Sequence, residues 1–459
     1  MKEYDLIVIG AGGGTKIASP AARLGYKVAI IEKEDLGGTC LNRGCIPSKM
    51  LIHPANVLEQ AKNLEKFGIT NTGEFKTDFA SLVRRVTKTV VKESADIAEA
   101  YKKIDNLDYY AGEARFINDT TITVNGEELT SPKIVIAVGS RPAIPLIPGL
   151  EGTPYMTSRE ALRNETLPKK LLVIGGGYIA TELGHVYNAM GSETVFFVRG
   201  SYLSHEDETI SAEFQKVFEK KHTTRYSTQN LVVSYEDGVF TLSGTDTNGN
   251  VVTETGDALL VATGIVPNTD NLGLENTTIA QSINGYIMVN DHLEASVPGI
   301  YAIGDCNGNY FFRHSVNFEG EYLLGQLFQG HTPSEIKYPP MPHAVFTSPE
   351  IAGVGKTEQA LREEGIDYLA VTHEYKNSAQ GMARLPEEGL VRLMFERNTR
   401  KLLGAHIIGD EAATMTHLLI LAITMGATST DLLTMIYIHP ALPEIVRNAV
   451  RKAEAEFNS

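Results

Sequence analysis

The stretch Leu6-Ile7-Val8-Ile9-Gly10-Ala11-Gly12-Gly13-Gly14-Thr15 decides the fold. Its four apolar residues in a row read as a strand buried on both faces. A helical stretch, Lys16 to Leu24, follows the glycines, and then a second apolar strand, Val28 to Ile31, closed by Glu32. Strand, glycine turn, helix, strand and terminal acid form a βαβ unit suited to a dinucleotide. The glycines permit a tight turn and close approach of a pyrophosphate, whose charge the helix N-terminus attracts. An acid about 20 residues beyond the glycines is placed to bind ribose hydroxyls, and Glu32 stands there. Thr15 occupies the position of the pattern's third glycine, a change expected to alter helix–strand packing more than binding.

The unit recurs about 165 residues later. Leu171 to Ile174 reads as a strand, Gly175-Gly176-Gly177-Tyr178-Ile179-Ala180 as the glycine turn, Thr181 to Met190 as helix and Thr194 to Val198 as the next strand. This second strand ends in Arg199 rather than an acid. A cation there suits a 2′-phosphate, so NADPH is favoured over NADH. Leu259 to Gly264 echoes Ile134 to Gly139, and Ile300 to Asp305 is a strand that ends in an acid at a turn. Helices are expected over Ser48 to Lys66 and Thr77 to Lys102, short strands between Asp108 and Val124, and a linker from Pro142 to Pro154. From Tyr338 the character changes: alternating strands, Gly389 to Phe395 and Leu402 to Ile408, are followed by amphipathic helices, Met415 to Met425 and Pro443 to Glu454. The fold class is α/β: two Rossmann-like dinucleotide-binding domains and a C-terminal α+β domain. The expected divisions are residues 1–150, 151–265, 266–336 and 337–459.

Between the two units lies Gly37-Gly38-Thr39-Cys40-Leu41-Asn42-Arg43-Gly44-Cys45-Ile46-Pro47-Ser48-Lys49, which holds two of the chain's three cysteines. Pro47 suits the first turn of a helix, where its missing N–H would be unpaired anyway. Cys45 is then expected at the helix N-terminus, where the dipole favours a thiolate. Cys40 falls within disulfide reach, in a loop or one turn along a bent helix. The spacing reads as a redox-active pair. Cys306 has no cysteine near it in sequence and reads as a structural thiol.

Composition narrows the class. The 459 residues suffice for two to four domains, and 42% hydrophobic content supports full cores. No apolar run is long enough for a membrane span. The charged N-terminus, Met1 to Asp5, is not the pattern of a signal peptide. Three cysteines in this length fit a reducing compartment, and a cytoplasmic protein is expected. A net charge of −15 argues against nonspecific nucleic-acid binding.

Taken together, the glycine loop with Glu32, Gly38-Thr39-Cys40 to Lys49, Gly175 to Glu182, Gly304-Asp305 and His439-Pro440 to Glu444 resemble the FAD-dependent pyridine nucleotide–disulfide oxidoreductases over nearly the whole chain. The resemblance implies FAD in the first unit, with Gly10, Gly12, Gly14, Glu32, Thr39, Lys49, Gly112, Gly139 and Asp305 around it. It implies NADPH or NADH in the second unit, with Gly175, Gly177, Tyr178, Glu182, Arg199 and Gly264. Tyr178 would gate the nicotinamide pocket, and Lys49 and Glu182 would form an ion pair near the flavin. Cys45 would be the thiol in charge-transfer contact with the flavin, and Cys40 the one that attacks the substrate disulfide. His439 would be the acid/base, oriented by Glu444, because exchange needs a protonated leaving group and an imidazole titrates near neutrality. A homodimer is implied, with His439 reaching the other subunit's cysteines. His53-Pro54 repeats the His-Pro dipeptide without an acid set behind it.

Within the family, Leu41-Asn42-Arg43-Gly44 is similar to dihydrolipoamide dehydrogenases and mycothione reductases. Phe197 to Ser201, Arg313 to Asn317 and Ala441 within His439 to Glu444 lean towards the latter. A small-molecule disulfide of mycothione type is therefore the expected substrate, and lipoamide dehydrogenation with NAD the alternative. Metal-ion reduction is disfavoured, since no cysteine precedes Cys40 or follows Pro440. A diaphorase would not need the cysteine pair, and a scaffold would not need Cys40, Cys45, His439 and Glu444 together.

Overall fold

The computed structural model describes residues 1–70, 73–386 and 388–459. A five-stranded parallel sheet runs in the spatial order Ile300–Ala302, Ile134–Ile136, Leu6–Ile9, Val28–Glu32 and Leu107–Ala111. Leu6–Ile9 lies in its centre, and all four residues are buried. Successive strand side chains point to opposite faces. Thus Leu6 and Val8 pack with Ile17, Ala18 and Ala21 of the helix Thr15–Arg23. Ile7 and Ile9 pack on the other face with Phe116, Ile122 and Leu129 of a small four-stranded sheet.

The second unit repeats this arrangement with Thr223–Tyr226, Glu193–Val198, Lys170–Ile174 and Ala258–Val261, all parallel. Both echoing segments, Ile134–Ile136 and Ala258–Val261, pair beside the glycine-loop strand of their own sheet. After the second sheet the chain returns to the first through Ile300–Ala302. The remaining large sheet is antiparallel: His343–Val345, Ile351–Gly355, Leu402–Ile408, Leu390–Glu396 and Tyr368–Glu374. Helices Ala412–Thr424 and Glu444–Phe457 cover it through Met415, Leu419, Ile445, Val446 and Ala449.

Boundaries shift where local chemistry decides them. The helix expected from Ser48 begins at Cys45 and ends at Lys62, with a 3-10 turn at Leu64–Phe67. The next helix is Phe79–Tyr101, started by the Asp78 carboxylate accepting from the Ser81 N–H at 2.9 Å. Such a cap satisfies a donor that the helix leaves free. The expected linker loses Pro142, because Ser140–Pro142 pairs antiparallel with Ile265–Pro267 where the chain crosses between the parallel sheets.

The Thr15 exchange is accommodated one residue earlier than expected. A Cβ on Gly14 would lie 2.3 Å from the Gly10 carbonyl oxygen and 2.5 Å from Cγ1 of Val8, so Gly14 is the point of close helix–strand approach. Thr15 turns its hydroxyl back to the Gly12 carbonyl at 2.9 Å. Gly14→Ala is accordingly expected to destabilise the protein by roughly 1–3 kcal/mol, the cost of overpacking. A lowered unfolding midpoint and weakened retention of FAD would show it, and an unchanged midpoint would contradict the close packing.

Candidate active site

The cysteines sit on two consecutive helices. Gly38–Arg43 carries Cys40, the backbone turns at Gly44, and Cys45 opens the helix Cys45–Lys62. Both are free thiols in this structure and line one cavity. Hydrogen bonding with the neighbouring Cys40 thiol is the largest cause lowering the Cys45 thiol to about 7; the charge of Lys49 adds to it, against burial. The same hydrogen bonding, with burial, pushes the Cys40 thiol up. The two shifts run in opposite directions, Cys45 towards the thiolate and Cys40 towards the thiol. Cys306 is fully buried, its thiol directed at the carbonyls of Ile303 and Ile136 and raised by burial to about 12. It is a structural thiol.

One turn beyond Cys45, Lys49 reaches the helix Tyr178–Met190. Its Nζ lies 2.8 and 2.9 Å from the two carboxylate oxygens of Glu182. Glu182 also accepts the Phe346 N–H at 3.0 Å, and the lysine lies over the Phe346 ring at 4.7 Å. A nearly buried carboxylate is thus paired and hydrogen-bonded on both sides, as its burial requires. Tyr178, in the first turn of that helix, donates its hydroxyl to Glu206.

A cavity of 1410 Å³ connects these groups. Its lining includes both cysteines, Cys40 and Cys45, and Gly10, Gly12, Glu32, Thr39, Lys49, Gly112, Gly139 and Asp305 from the residues expected around FAD. Gly177, Tyr178, Glu182 and Gly264 join from those expected around the nicotinamide nucleotide. The volume exceeds that of an ordinary single small-molecule pocket, about 300–1,000 Å³. The residues fit a dinucleotide. Gly12 and Gly38 face each other so closely that a Cβ on Gly38 would lie 2.7 Å from the Gly12 Cα. Two bare backbones therefore border the space at the start of the helix Thr15–Arg23. The Glu32 carboxylate accepts the Ala11 N–H at 2.8 Å, which fixes it beside the glycine loop. Asp305 accepts from the Ser140 hydroxyl, and burial raises its carboxyl above the usual range.

Gly14, Gly175 and Arg199 stand outside the cavity lining. Gly14 serves packing, as above. Gly175 donates its N–H to the Phe197 carbonyl at 3.0 Å and so joins the glycine loop to the strand that leads to Arg199. The Arg199 side chain is exposed at the end of that strand.

His439 and Glu444 are brought to each other, outside the lining of the cavity that the cysteines border. The His439 Nδ1 lies 3.0 Å from Glu444 Oε2, and Arg447 lies 2.7 Å from Oε1. The Ala441 N–H, then His439, hold the Glu444 carboxyl below its usual range. Glu444 is buried, whereas the His439 side chain is 70% exposed and absent from the cavity lining.

Three contributors escaped the sequence reading. Arg313 lines the cavity with its guanidinium near Gly12, Phe346 supplies a ring and an N–H to the Lys49–Glu182 pair, and Glu206 holds Tyr178. Arg313 stands in a segment quoted above only for its resemblance, and all three act through contacts between distant segments.

Two family profiles match the chain: "Pyridine nucleotide-disulphide oxidoreductase" over residues 4–320, and its "dimerisation domain" over residues 341–450. The chain is 37% identical over 460 residues to a dihydrolipoyl dehydrogenase of Geobacillus stearothermophilus, covering 98% of this chain and 96% of that one. It is 33% identical over 464 residues to a mycothione reductase of Mycobacterium tuberculosis, covering 98% and 99%. The solved structure of the HOCl-induced flavoprotein disulfide reductase RclA from Escherichia coli superposes with a TM-score of 0.87 at 26% identity, over 98% of this chain and 99% of that one.

Proposed function

We propose, from the premise that this chain belongs to the pyridine nucleotide-disulphide oxidoreductase family, that it reduces a low-molecular-weight disulfide of mycothione type with electrons from NADPH. The chain is a flavoprotein disulfide oxidoreductase, with FAD as cofactor and NAD(P)H as electron donor. The Cys40–Cys45 pair, two free thiols lining one cavity with Lys49 and Glu182, carries the reading.

FAD, when bound, would supply the two-electron chemistry that links the nicotinamide to the Cys40–Cys45 disulfide. Gly10, Gly12, Glu32, Thr39, Lys49, Gly112, Gly139 and Asp305 would hold it, with Gly14 setting the loop. Gly175, Gly177, Tyr178, Glu182, Arg199 and Gly264 would hold the nicotinamide nucleotide. The reduced pair then works by exchange. Cys40, once deprotonated by His439, attacks one sulfur of the substrate disulfide and forms a mixed disulfide. The departing thiolate takes the proton from His439 and leaves as the first thiol. The Cys45 thiolate attacks the Cys40 sulfur, releases the second half of the substrate, and restores the Cys40–Cys45 disulfide. A thiol near pH 7 in acidity is well matched to such attack.

The assembly is a homodimer in which His439 serves the partner's Cys40. Two features support this. The exposed imidazole lies outside its own chain's cavity. Beside it Ile436 and Ile438 are 99% and 79% exposed within the dimerisation-domain match, a patch that association would bury. No helix among the described residues is long and apolar enough to cross a membrane.

The second reading is lipoamide dehydrogenation with NAD, favoured by the identity to the Geobacillus dihydrolipoyl dehydrogenase. A steady-state panel separates the two: lipoamide, glutathione disulfide and a mycothiol-type disulfide, each with NADH and NADPH. Highest kcat/KM for the mycothiol-type disulfide with NADPH is expected; lipoamide with NAD(H) in that place establishes the second reading. Arg199→Glu should shift preference from NADPH to NADH by at least about tenfold, the effect of losing one charge-assisted hydrogen bond of roughly 1.5–3 kcal/mol. Unchanged kinetics with both nucleotides would remove Arg199 from the site.

A further inference from the structure

Behind Tyr178 lies a second convergence of ligand atoms. In the antiparallel sheet, His343, Gly353 and His406 are directly opposite one another on three adjacent strands. Opposite residues point to the same face with Cβ atoms about 4.5–5.5 Å apart. Two imidazoles therefore flank a position that has no side chain. A Cβ on Gly353 would lie 2.5 Å from Nδ1 of His406 and 2.7 Å from Nε2 of His343, so both nitrogens border one hollow. Glu206 closes it, with Oε2 at 2.8 Å from Nε2 of His343 and Oε1 accepting from Tyr178.

His406 is completely buried. Its Nε2 lies 3.1 Å from the Lys356 carbonyl, which can only accept, so that nitrogen carries the proton and Nδ1 carries a lone pair. Among the described residues, Nδ1 has no hydrogen-bond partner. One ring nitrogen fixed on a carbonyl and the other left bare is how metal-ligating histidines are oriented. Ligand atoms of Glu206, His343 and His406 lie within 4.8 Å of one another. Arg392, opposite His406 on the next strand, is engaged by Glu358 and Asp207. Arg392 is thus already paired with Glu358 and Asp207, which leaves the Glu206 carboxylate facing His343 and Tyr178. His343 also lines the main cavity, which supplies the route in.

We propose that Glu206, His343 and His406 form a binding site for a divalent cation of the zinc class, distinct from the cysteine pair, whose occupancy takes Glu206 from the Tyr178 hydroxyl. Two imidazoles and a carboxylate, with solvent in the remaining position, are an established ligand type for such ions. The ion replaces the proton between His343 and Glu206, which moves to Nδ1 of His343 or to solvent.

The test uses the full-length FAD-loaded protein with Cys40→Ser and Cys45→Ser, which removes the thiols as competing ligands. It is titrated with Zn(II) against a chromophoric chelator, and with Co(II) for its ligand-field absorption. One ion per chain is expected. His343→Ala should weaken binding at least about tenfold and remove the cobalt band, and Gly353→Ala, which fills the hollow, should do the same. His205→Ala, in the cavity but outside the cluster, should not. Flavin absorbance confirms that each variant is folded. Absence of a bound ion in the cysteine-free protein, or an affinity unchanged by His343→Ala, overturns the site.

Discussion

Cys45→Ser is expected to lower disulfide reduction by at least about a thousandfold, because the variant cannot resolve the mixed disulfide on Cys40. Nicotinamide oxidation with small artificial acceptors should persist, since the cavity and its nucleotide-binding residues are untouched. Cys40→Ser should lose disulfide reduction equally, yet the two variants differ in spectrum. The long-wavelength absorption of the two-electron-reduced protein should disappear with Cys45→Ser and survive in Cys40→Ser. The reverse pattern would exchange the roles of the two sulfurs. The acid–base behaviour supplies a further check on the same pair. The Cys45 thiol is lowered to about 7, chiefly by hydrogen bonding with Cys40 and then by Lys49. Thiolate grows as pH rises, so alkylation of the reduced protein by iodoacetamide should increase through a midpoint near that value. Cys40→Ala removes the principal cause and should move the midpoint upward, towards the ordinary thiol range of about 8.5. A midpoint that stays in place would assign the lowering to Lys49 and the helix start instead.

The parts of this site that were legible in the sequence are those whose chemistry is local. A buried strand, a glycine turn and an acid recur within some thirty residues because one βαβ unit must place all of them around one pyrophosphate. The cysteine pair was legible for the same reason: a proline one turn into a helix fixes where Cys45 must lie, and the helix does begin at Cys45. Thr15 shows the limit of this reading. The exchange was visible, but not that Gly14 would take the close contact against Val8 and Gly10, because that depends on how the helix is set on the sheet. The contacts of Glu182 show it again. Its pairing with Lys49 followed from matched motifs, whereas the N–H of Phe346 reaches it from 164 residues away, through a sheet whose register the sequence pattern does not specify. The row His343, Gly353 and His406 is hidden for the same reason. Cross-strand neighbours are set by register, and each residue in isolation is an ordinary strand residue.

The dimeric site has its own decisive result. His439→Ala is expected to reduce disulfide turnover by roughly 10²–10⁴-fold, the usual worth of a positioned acid/base. Glu444→Gln should cost less, since it keeps a hydrogen-bond acceptor for His439 and loses only the charge that orients and stabilises it. Neither loss tells which chain's cysteines His439 serves, and mixed dimers do. One chain carries Cys40→Ser with its histidine intact; the other carries His439→Ala with its cysteines intact. If each site combines the cysteines of one chain with the histidine of the other, the mixed dimer holds one complete site and one doubly defective site. If each site is built within a chain, both sites are defective. Random reassociation of two inactive parents should therefore restore about a quarter of the wild-type activity per chain, as expected for a two-fold symmetric interface. No recovery, with mixed dimers verified by differential tagging, would place His439 with its own chain's cysteines. That outcome would also require His439 to turn from its exposed position towards a cavity whose lining does not include it.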